Sequence, residues 1–311
     1  MKALVKTQQS VRIENVAKPT PRHRDDVVIR VALTGLCRTD VYVAEGIVPA
    51  GKDDLILGHE FSGIVEAVGE SVTNVRVGDR VCVMPFLSIE TTEHGKYAHS
   101  TQLGVHHDGS LGEYACVPAY TVYKLPESVS LKMGAYLEPV CASMAVLKAP
   151  IHPLQKGLIY GDNRISQLTL RILQAEGFAD VTTFDHTDAS IAPLQGDHYD
   201  FIIETLATTA TMAQMIHAVK PGGVIVLKSR QHTPVGMNIN DLVKKDITLA
   251  AVNYAPFEDC IALAASGRLD VEDLFGDVYP LEQFADIFEM SKGKESKKLF
   301  LTAANDDVWR L

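Results

Sequence analysis

The chain has 311 residues, 46% of them hydrophobic, and a formal net charge of −10. Such a length suits two domains with ordinary buried cores. The acidic balance excludes nucleic acid and anionic membrane as expected partners, because both need a basic face. No apolar run reaches the ~18 residues of a membrane span. The opening Met1-Lys2-Ala3-Leu4-Val5-Lys6 reads as a first strand, since its apolar stretch is too short for a leader. Five scattered cysteines (Cys37, Cys82, Cys116, Cys141 and Cys260) make an odd number and no disulfide framework. A reducing cytoplasm fits them best.

Taken in order, the first 34 residues alternate short apolar runs with turn residues. Residues 27–33, Val-Val-Ile-Arg-Val-Ala-Leu, are rich in β-branched side chains and predict a strand. Residues 63–69 and 75–83 predict two or three more short strands, with a tight turn at Gly78-Asp79. The first segment is therefore read as mostly β, without a long helix, in a barrel or Greek-key arrangement. Residues 84–112 are irregular. Their Glu90, Glu93, His94, His99, His106 and His107 leave open a second metal site, but no cysteine lies among them, and a surface loop is the preferred reading.

Strands return over 111–125. A helix is predicted from about Leu131 to Lys148, with Ser130 as its cap. Pro150 and Pro153 mark a boundary. Beyond it strands at 158–160, 181–184, 199–203, 224–227 and 247–252 alternate with helices at 165–176, 210–219 and 257–266. This alternation predicts a parallel, doubly wound sheet. A helix at 281–291 and a strand at 298–302 close the chain.

The chemistry gathers in residues 35–69. Gly35-Leu36-Cys37-Arg38-Thr39-Asp40 and Gly58-His59-Glu60-Phe61-Ser62-Gly63 bring a thiol, an imidazole and a carboxylate into one stretch. Those are zinc ligands, since zinc takes Cys sulfur, His nitrogen and Glu oxygen in tetrahedral geometry. Asp40 is placed to accept a hydrogen bond from a ligand imidazole. Thr39 offers a hydroxyl for proton transfer, and Arg38 a cation for a pyrophosphate. In the second half, Gly161-Asp162-Asn163-Arg164-Ile165-Ser166 sits where a dinucleotide-binding turn belongs, with only the first glycine of the usual three. Asn163 is expected to supply a positive φ there, and Ser166 to allow close helix packing. Asp185, ending the next strand, suits the ribose hydroxyls and favours NAD over NADP.

These motifs resemble the zinc-containing medium-chain dehydrogenase/reductase family, the alcohol and polyol dehydrogenases. Val77-Gly78-Asp79-Arg80-Val81, Asp108-Gly109-Ser110-Leu111-Gly112-Glu113-Tyr114, Leu137-Glu138-Pro139 and Lys220-Pro221-Gly222-Gly223 extend the resemblance over most of the chain. It implies an α/β two-domain fold, a GroES-like β-barrel catalytic domain (1–148 and 271–311) with an inserted, shortened Rossmann domain (149–270), and a site in the cleft between them. It implies Cys37 and His59 as zinc ligands, and Glu60 and Glu138 as carboxylates at the metal. Cys141 is a weaker rival to Glu138. It further implies Thr39 as proton relay, Arg38 as pyrophosphate contact, and Gly161, Asn163, Ile165 and Asp185 as cofactor-binding residues. Zinc would polarise the substrate oxygen, and NAD would accept hydride from a secondary alcohol.

The chain departs from the family pattern twice. It lacks the four closely spaced cysteines of a structural zinc, so one catalytic zinc is expected. It also has only residues 185–198 where the family carries a helix, a strand and another helix. The expected protein is a zinc- and NAD-dependent oxidoreductase for a polyol, sugar alcohol or amino alcohol, cytoplasmic, forming homodimers or homotetramers. Tyr42, Phe86 and the 88–107 loop are candidates for setting specificity. The alternatives are a non-enzymatic binding protein that keeps the zinc fold, and a zinc-assisted lyase or epimerase that retains NAD.

Overall fold

The computed structural model describes residues 1–88, 99–230, 233–293 and 297–304. Among these, the first part of the chain forms β1 (Lys2–Lys6), β2 (Val11–Asn15), β3 (Asp26–Gly35), α1 (Arg38–Glu45), β4 (Leu55–Ile56) and β5 (Glu60–Val68). There follow β6 (Arg80–Val83), β7 (Phe86–Leu87), β8 (Thr101–Gln102), β9 (Tyr114–Pro118), β10 (Val122–Lys124) and α2 (Leu131–Met144). The middle of the chain alternates β11 (Gly157–Tyr160), α3 (Arg164–Ala175), β12 (Val181–Phe184), β13 (Tyr199–Glu204), α4 (Thr209–Ala218), β14 (Val219–Leu227), α5 (Ile239–Lys244), β15 (Thr248–Ala251) and α6 (Phe257–Ala265). The last elements are β16 (Phe275–Pro280), α7 (Phe284–Ser291) and β17 (Lys298–Thr302).

The chain divides into two compact units, residues 1–138 with 275–311, and residues 139–274. In the first, the main sheet runs β10-β6-β5-β3-β17-β16, with β9 also paired to β3. The β-rich pattern of its sequence explains this. Val27, Ile29 and Val31 alternate along β3 and meet Phe61, Val65 and Val81 in one core. A second core gathers Leu4, Leu36, Val41, Leu57 and Leu301 around α1.

The second unit holds a parallel sheet of order β12-β11-β13-β14-β15. Its central strands are apolar on both faces, as a sheet covered on both sides requires. Leu158, Tyr160, Ile202 and Ile225 pack in one core. Ile159, Phe201, Ile203, Val224 and Val226, the alternating residues, pack in the other. Residues 185–198 connect β12 to β13 with no strand or helix between them. The fold is thus an α/β arrangement of two units, one built on an antiparallel-rich sheet and one on a parallel five-stranded sheet.

Several elements differ from the sequence reading. Helix α1 was not expected in the β-rich segment. It is short, with Asp40 in its first turn and Gly46 as a left-handed C-cap at φ 76°. Helix α5 and strand β16 were likewise missed. Of residues 75–83 only Arg80–Val83 pairs as a strand. Strand β14 begins at Val219, so Lys220-Pro221-Gly222-Gly223 lies within it, next to a register shift between Tyr199 and Phe201.

Candidate active site

Strand β3 ends at Gly35, and the chain turns through Leu36 and Cys37 into α1. Strand β5 starts at Glu60, immediately after His59. The two strands are antiparallel, and Gly35 pairs with Glu60. That register delivers both halves of the motif to one place. Ligand atoms of Cys37, His59 and Glu60 lie within 4.8 Å of one another.

Asp40 locks the arrangement. It is fully buried and sits in the first turn of α1. One carboxylate oxygen accepts from the Cys37 N–H at 3.0 Å. The other accepts from the Gly58 N–H and faces His59 Nδ1, each at 3.1 Å. A carboxylate can only accept, so Nδ1 carries the proton and Nε2 is the nitrogen left for a metal. Burial pulls the His59 imidazole down, but Asp40 and then Cys37 outweigh it and hold the ring well above its ordinary value.

A second buried contact was not legible in the sequence. Lys298 on β17 is ion-paired with the Glu60 carboxylate, both essentially without solvent exposure. Strand β3 lies between β5 and β17, and Gly35 is the residue the pair must cross: it pairs with Glu60 on one side and Phe300 on the other. A Cβ on Gly35 would come within 2.6 Å of Lys298 Cε and 2.8 Å of Glu60 Oε2. The glycine therefore makes room for the pair. A lysine opening a terminal strand looks solvent-facing, which is why sequence alone gave no sign of it.

The other predicted residues fall as follows. Thr39 is on the first turn of α1, half-buried, and Arg38 beside it donates from Nη2 to the Ser291 carbonyl at 2.9 Å. Arg38 thus holds the C-terminal end of α7, a position that favours a cation. Glu138 is buried on α2 and is not part of the Cys37–His59–Glu60 group. Cys141 is fully buried on the same helix. Glu90, Glu93 and His94 of the alternative metal site lie outside the described residues. His107 there bonds Thr101 Oγ1 at 2.9 Å, and His106 Nδ1 accepts from the Gln102 N–H at 3.1 Å.

In the second unit Gly161 has φ 125° and follows β11 directly. Asn163 does not adopt the positive φ expected of it. It is extended, at φ −129° and ψ 174°, because it is the N-cap of α3 and its side chain accepts from the Ile165 and Ser166 amides. Ser166 is buried, as close helix packing requires. Asp185 directly follows β12 and accepts from Thr187 N and Oγ1 at 2.9 and 2.6 Å.

With this geometry in place, the likeness to known proteins is informative. Residues 23–127 match the family described as Alcohol dehydrogenase GroES-like domain. A protein named "Probable D-xylulose reductase A" from Aspergillus clavatus is 26% identical over 333 residues, 93% of each chain. Residues 23–127 thus carry the GroES-like domain of alcohol dehydrogenases, and nearly the whole chain is similar to a protein named as a D-xylulose reductase. The relatives that the chain resembles are named as reductases and dehydrogenases. Two solved structures share the fold. The 2R,3R-butanediol dehydrogenase of Bacillus subtilis superposes with a TM-score of 0.86 at 23% identity, covering 97% of this chain and 99% of that one. An alcohol dehydrogenase of Escherichia coli, complexed with NADH, gives 0.87 at 23% identity with the same coverage.

The donor set fits the family's zinc. A thiol, an imidazole already oriented by a carboxylate, and a second carboxylate stand within ligand reach. The fit to a dinucleotide is partial. The parallel sheet, Gly161 and Asp185 suit it, while the helix start at Asn163 is capped by the chain itself.

Proposed function

We propose that this oxidoreductase interconverts a secondary alcohol (a polyol, sugar alcohol or amino alcohol) and its ketone, using one zinc and NAD. The observation that carries this is the Cys37–His59–Glu60 group, held by Asp40. Bound zinc supplies Lewis-acid polarisation of the substrate oxygen, and bound NAD supplies the hydride acceptor.

The chain's own residues do the rest. Cys37 and His59 hold the metal. Asp40 fixes the His59 tautomer and, through the Cys37 N–H, the start of α1. Glu60 and Glu138 are the carboxylates that complete the site, with Lys298 balancing the charge of Glu60. Thr39 takes the substrate hydroxyl proton and passes it outward. In the domain we assign to residues 149–270, Gly161, Ile165 and Asp185 meet the dinucleotide, and Asp185 selects NAD over NADP. The catalytic domain is 1–148 with 271–311, and Arg38 contributes a cation toward the pyrophosphate.

We place the enzyme in the cytoplasm as a homodimer or homotetramer. No helix among the described residues is long and apolar enough to cross a membrane. The test is turnover of a polyol panel with NAD, alongside metal analysis. The expected result is NADH formation with at least one polyol and one zinc per chain. Full zinc occupancy with no turnover of any polyol would overturn the proposal.

A further inference from the structure

In a dinucleotide-binding turn the helix start lends its unpaired N–H groups to the pyrophosphate, and glycines let the phosphates come close. Here those groups are already engaged. Asn163 Oδ1 accepts from the Ile165 N–H at 2.9 Å and the Ser166 N–H at 3.0 Å. The other end of the same amide, Nδ2, points to Thr205 Oγ1 at 3.4 Å. Thr205 is itself anchored: its hydroxyl donates to the Tyr160 carbonyl at 2.8 Å and lies 3.0 Å from Ser166 Oγ. The turn is packed as well as bonded, since a Cβ on Gly161 would stand 2.3 Å from Thr205 Oγ1. Asp162 sets a carboxylate in this turn, bonded by Gln167 Nε2 at 2.8 Å and with Arg164 two residues on.

We propose that Asn163 is a built-in competitor of the cofactor pyrophosphate. It occupies the two first-turn amides of α3, so a pyrophosphate reaches them only when the Asn163 side chain leaves. Affinity for pyrophosphate-bearing ligands is thereby lower than a glycine at this position would give. Binding of an adenosine moiety, which does not need these amides, is unaffected. The proposal rests on the reading of the five-stranded sheet as the dinucleotide-binding domain.

The test is calorimetric binding of ADP-ribose and of adenosine to the full chain, as wild type, Asn163→Gly and Asn163→Asp. Glycine replaces asparagine at an N-cap with little loss of helix stability, and a thermal melt of each variant checks this. Two amides released to a charged acceptor predict ADP-ribose binding about fivefold to tenfold tighter in Asn163→Gly. Adenosine binding stays unchanged. Asn163→Asp keeps the cap, adds charge and shows no gain. Unchanged or weaker ADP-ribose binding in Asn163→Gly overturns the inference, as does an equal gain for adenosine. If wild type already binds ADP-ribose tightly and Asn163→Gly changes nothing, the inference fails while the dehydrogenase reading stands. If no form binds ADP-ribose, both fail.

Discussion

Helices α1 and α3 each begin where the sequence places chemistry, and each has a short polar side chain bonding backbone amides at its start. At α1 the Asp40 carboxylate reaches outward as well as to its own helix start. It joins the Cys37 N–H, the Gly58 N–H and His59 Nδ1, so a thiol and an imidazole from two strand ends become one frame. At α3 the Asn163 oxygen turns inward and serves only the Ile165 and Ser166 amides of its own helix. The same capping physics gathers three candidate ligands in one unit and occupies the helix start in the other. On the proposed reading, the first unit is organised for its ligand in advance, whereas the second must first undo a contact.

The comparison is broken most directly by His59→Ala. If the first unit is the metal site, losing an oriented ligand removes zinc and with it several kcal/mol of charge stabilisation. Turnover should fall about a thousandfold or more, with zinc content falling in parallel. A variant that keeps its zinc and most of its rate would mean that these residues are structural.

Next in size is Lys298→Met. The pair with Glu60 is buried on both sides, so removing the lysine takes away the cation that faces the Glu60 carboxylate. Breaking such a pair costs about 3–5 kcal/mol of stability. Urea unfolding should show this loss, and Lys298→Met with Glu60→Gln should recover much of it. An unchanged unfolding midpoint in the single variant would show that Glu60 has another cation to lean on.

What the sequence made legible follows the same division. Periodicity and β-branched runs were enough for β1, β3, β12 and β17, and for the parallel sheet, because each strand's faces are settled by local apolar spacing. Cys37, His59 and Asp40 were legible because they lie within one short stretch whose residue types fit a metal. Lys298 was not, because its meaning depends on strand order: β17 lies beside β3, and Gly35 opens the way across it. The conformation of Asn163 was misread for a local reason. Asparagine tolerates positive φ and also caps helices, and here the cap bonds to the Ile165 and Ser166 amides hold it extended.

A smaller effect sharpens the role of Asp40. In Asp40→Asn one acceptor oxygen becomes an amide donor, facing either the Cys37 N–H or the Gly58 N–H and His59. Contacts of this kind behind a metal ligand change metal affinity about 10–100-fold. Zinc titration against a competing chelator should therefore show weaker binding with the fold intact by circular dichroism. Equal zinc affinity in both proteins would remove the contrast with Asn163, since Asp40 would then be only a helix cap.

The smallest effect belongs to the second unit, where charged groups are paired near solvent. Asp200 on β13 accepts from Lys220 Nζ at 2.7 Å and from the Lys156 N–H at 2.8 Å. The Lys220 contact, helped by Lys156 and opposed by burial, holds its carboxyl below the usual aspartate range. A carboxyl depressed in the folded state contributes stability that is complete above its unfolded pKa of about 3.9 and is lost as pH falls through the folded value. Both partners are partly exposed, so Asp200→Asn should cost under about 1 kcal/mol at pH 7. The gap in melting temperature between wild type and variant should then close below about pH 4, as protonation removes the same charge from wild type. A gap that stayed constant from pH 7 to pH 3 would mean that the Asp200 charge does nothing for the sheet. The pairing would then be geometry alone, unlike the buried Lys298–Glu60 pair in the first unit.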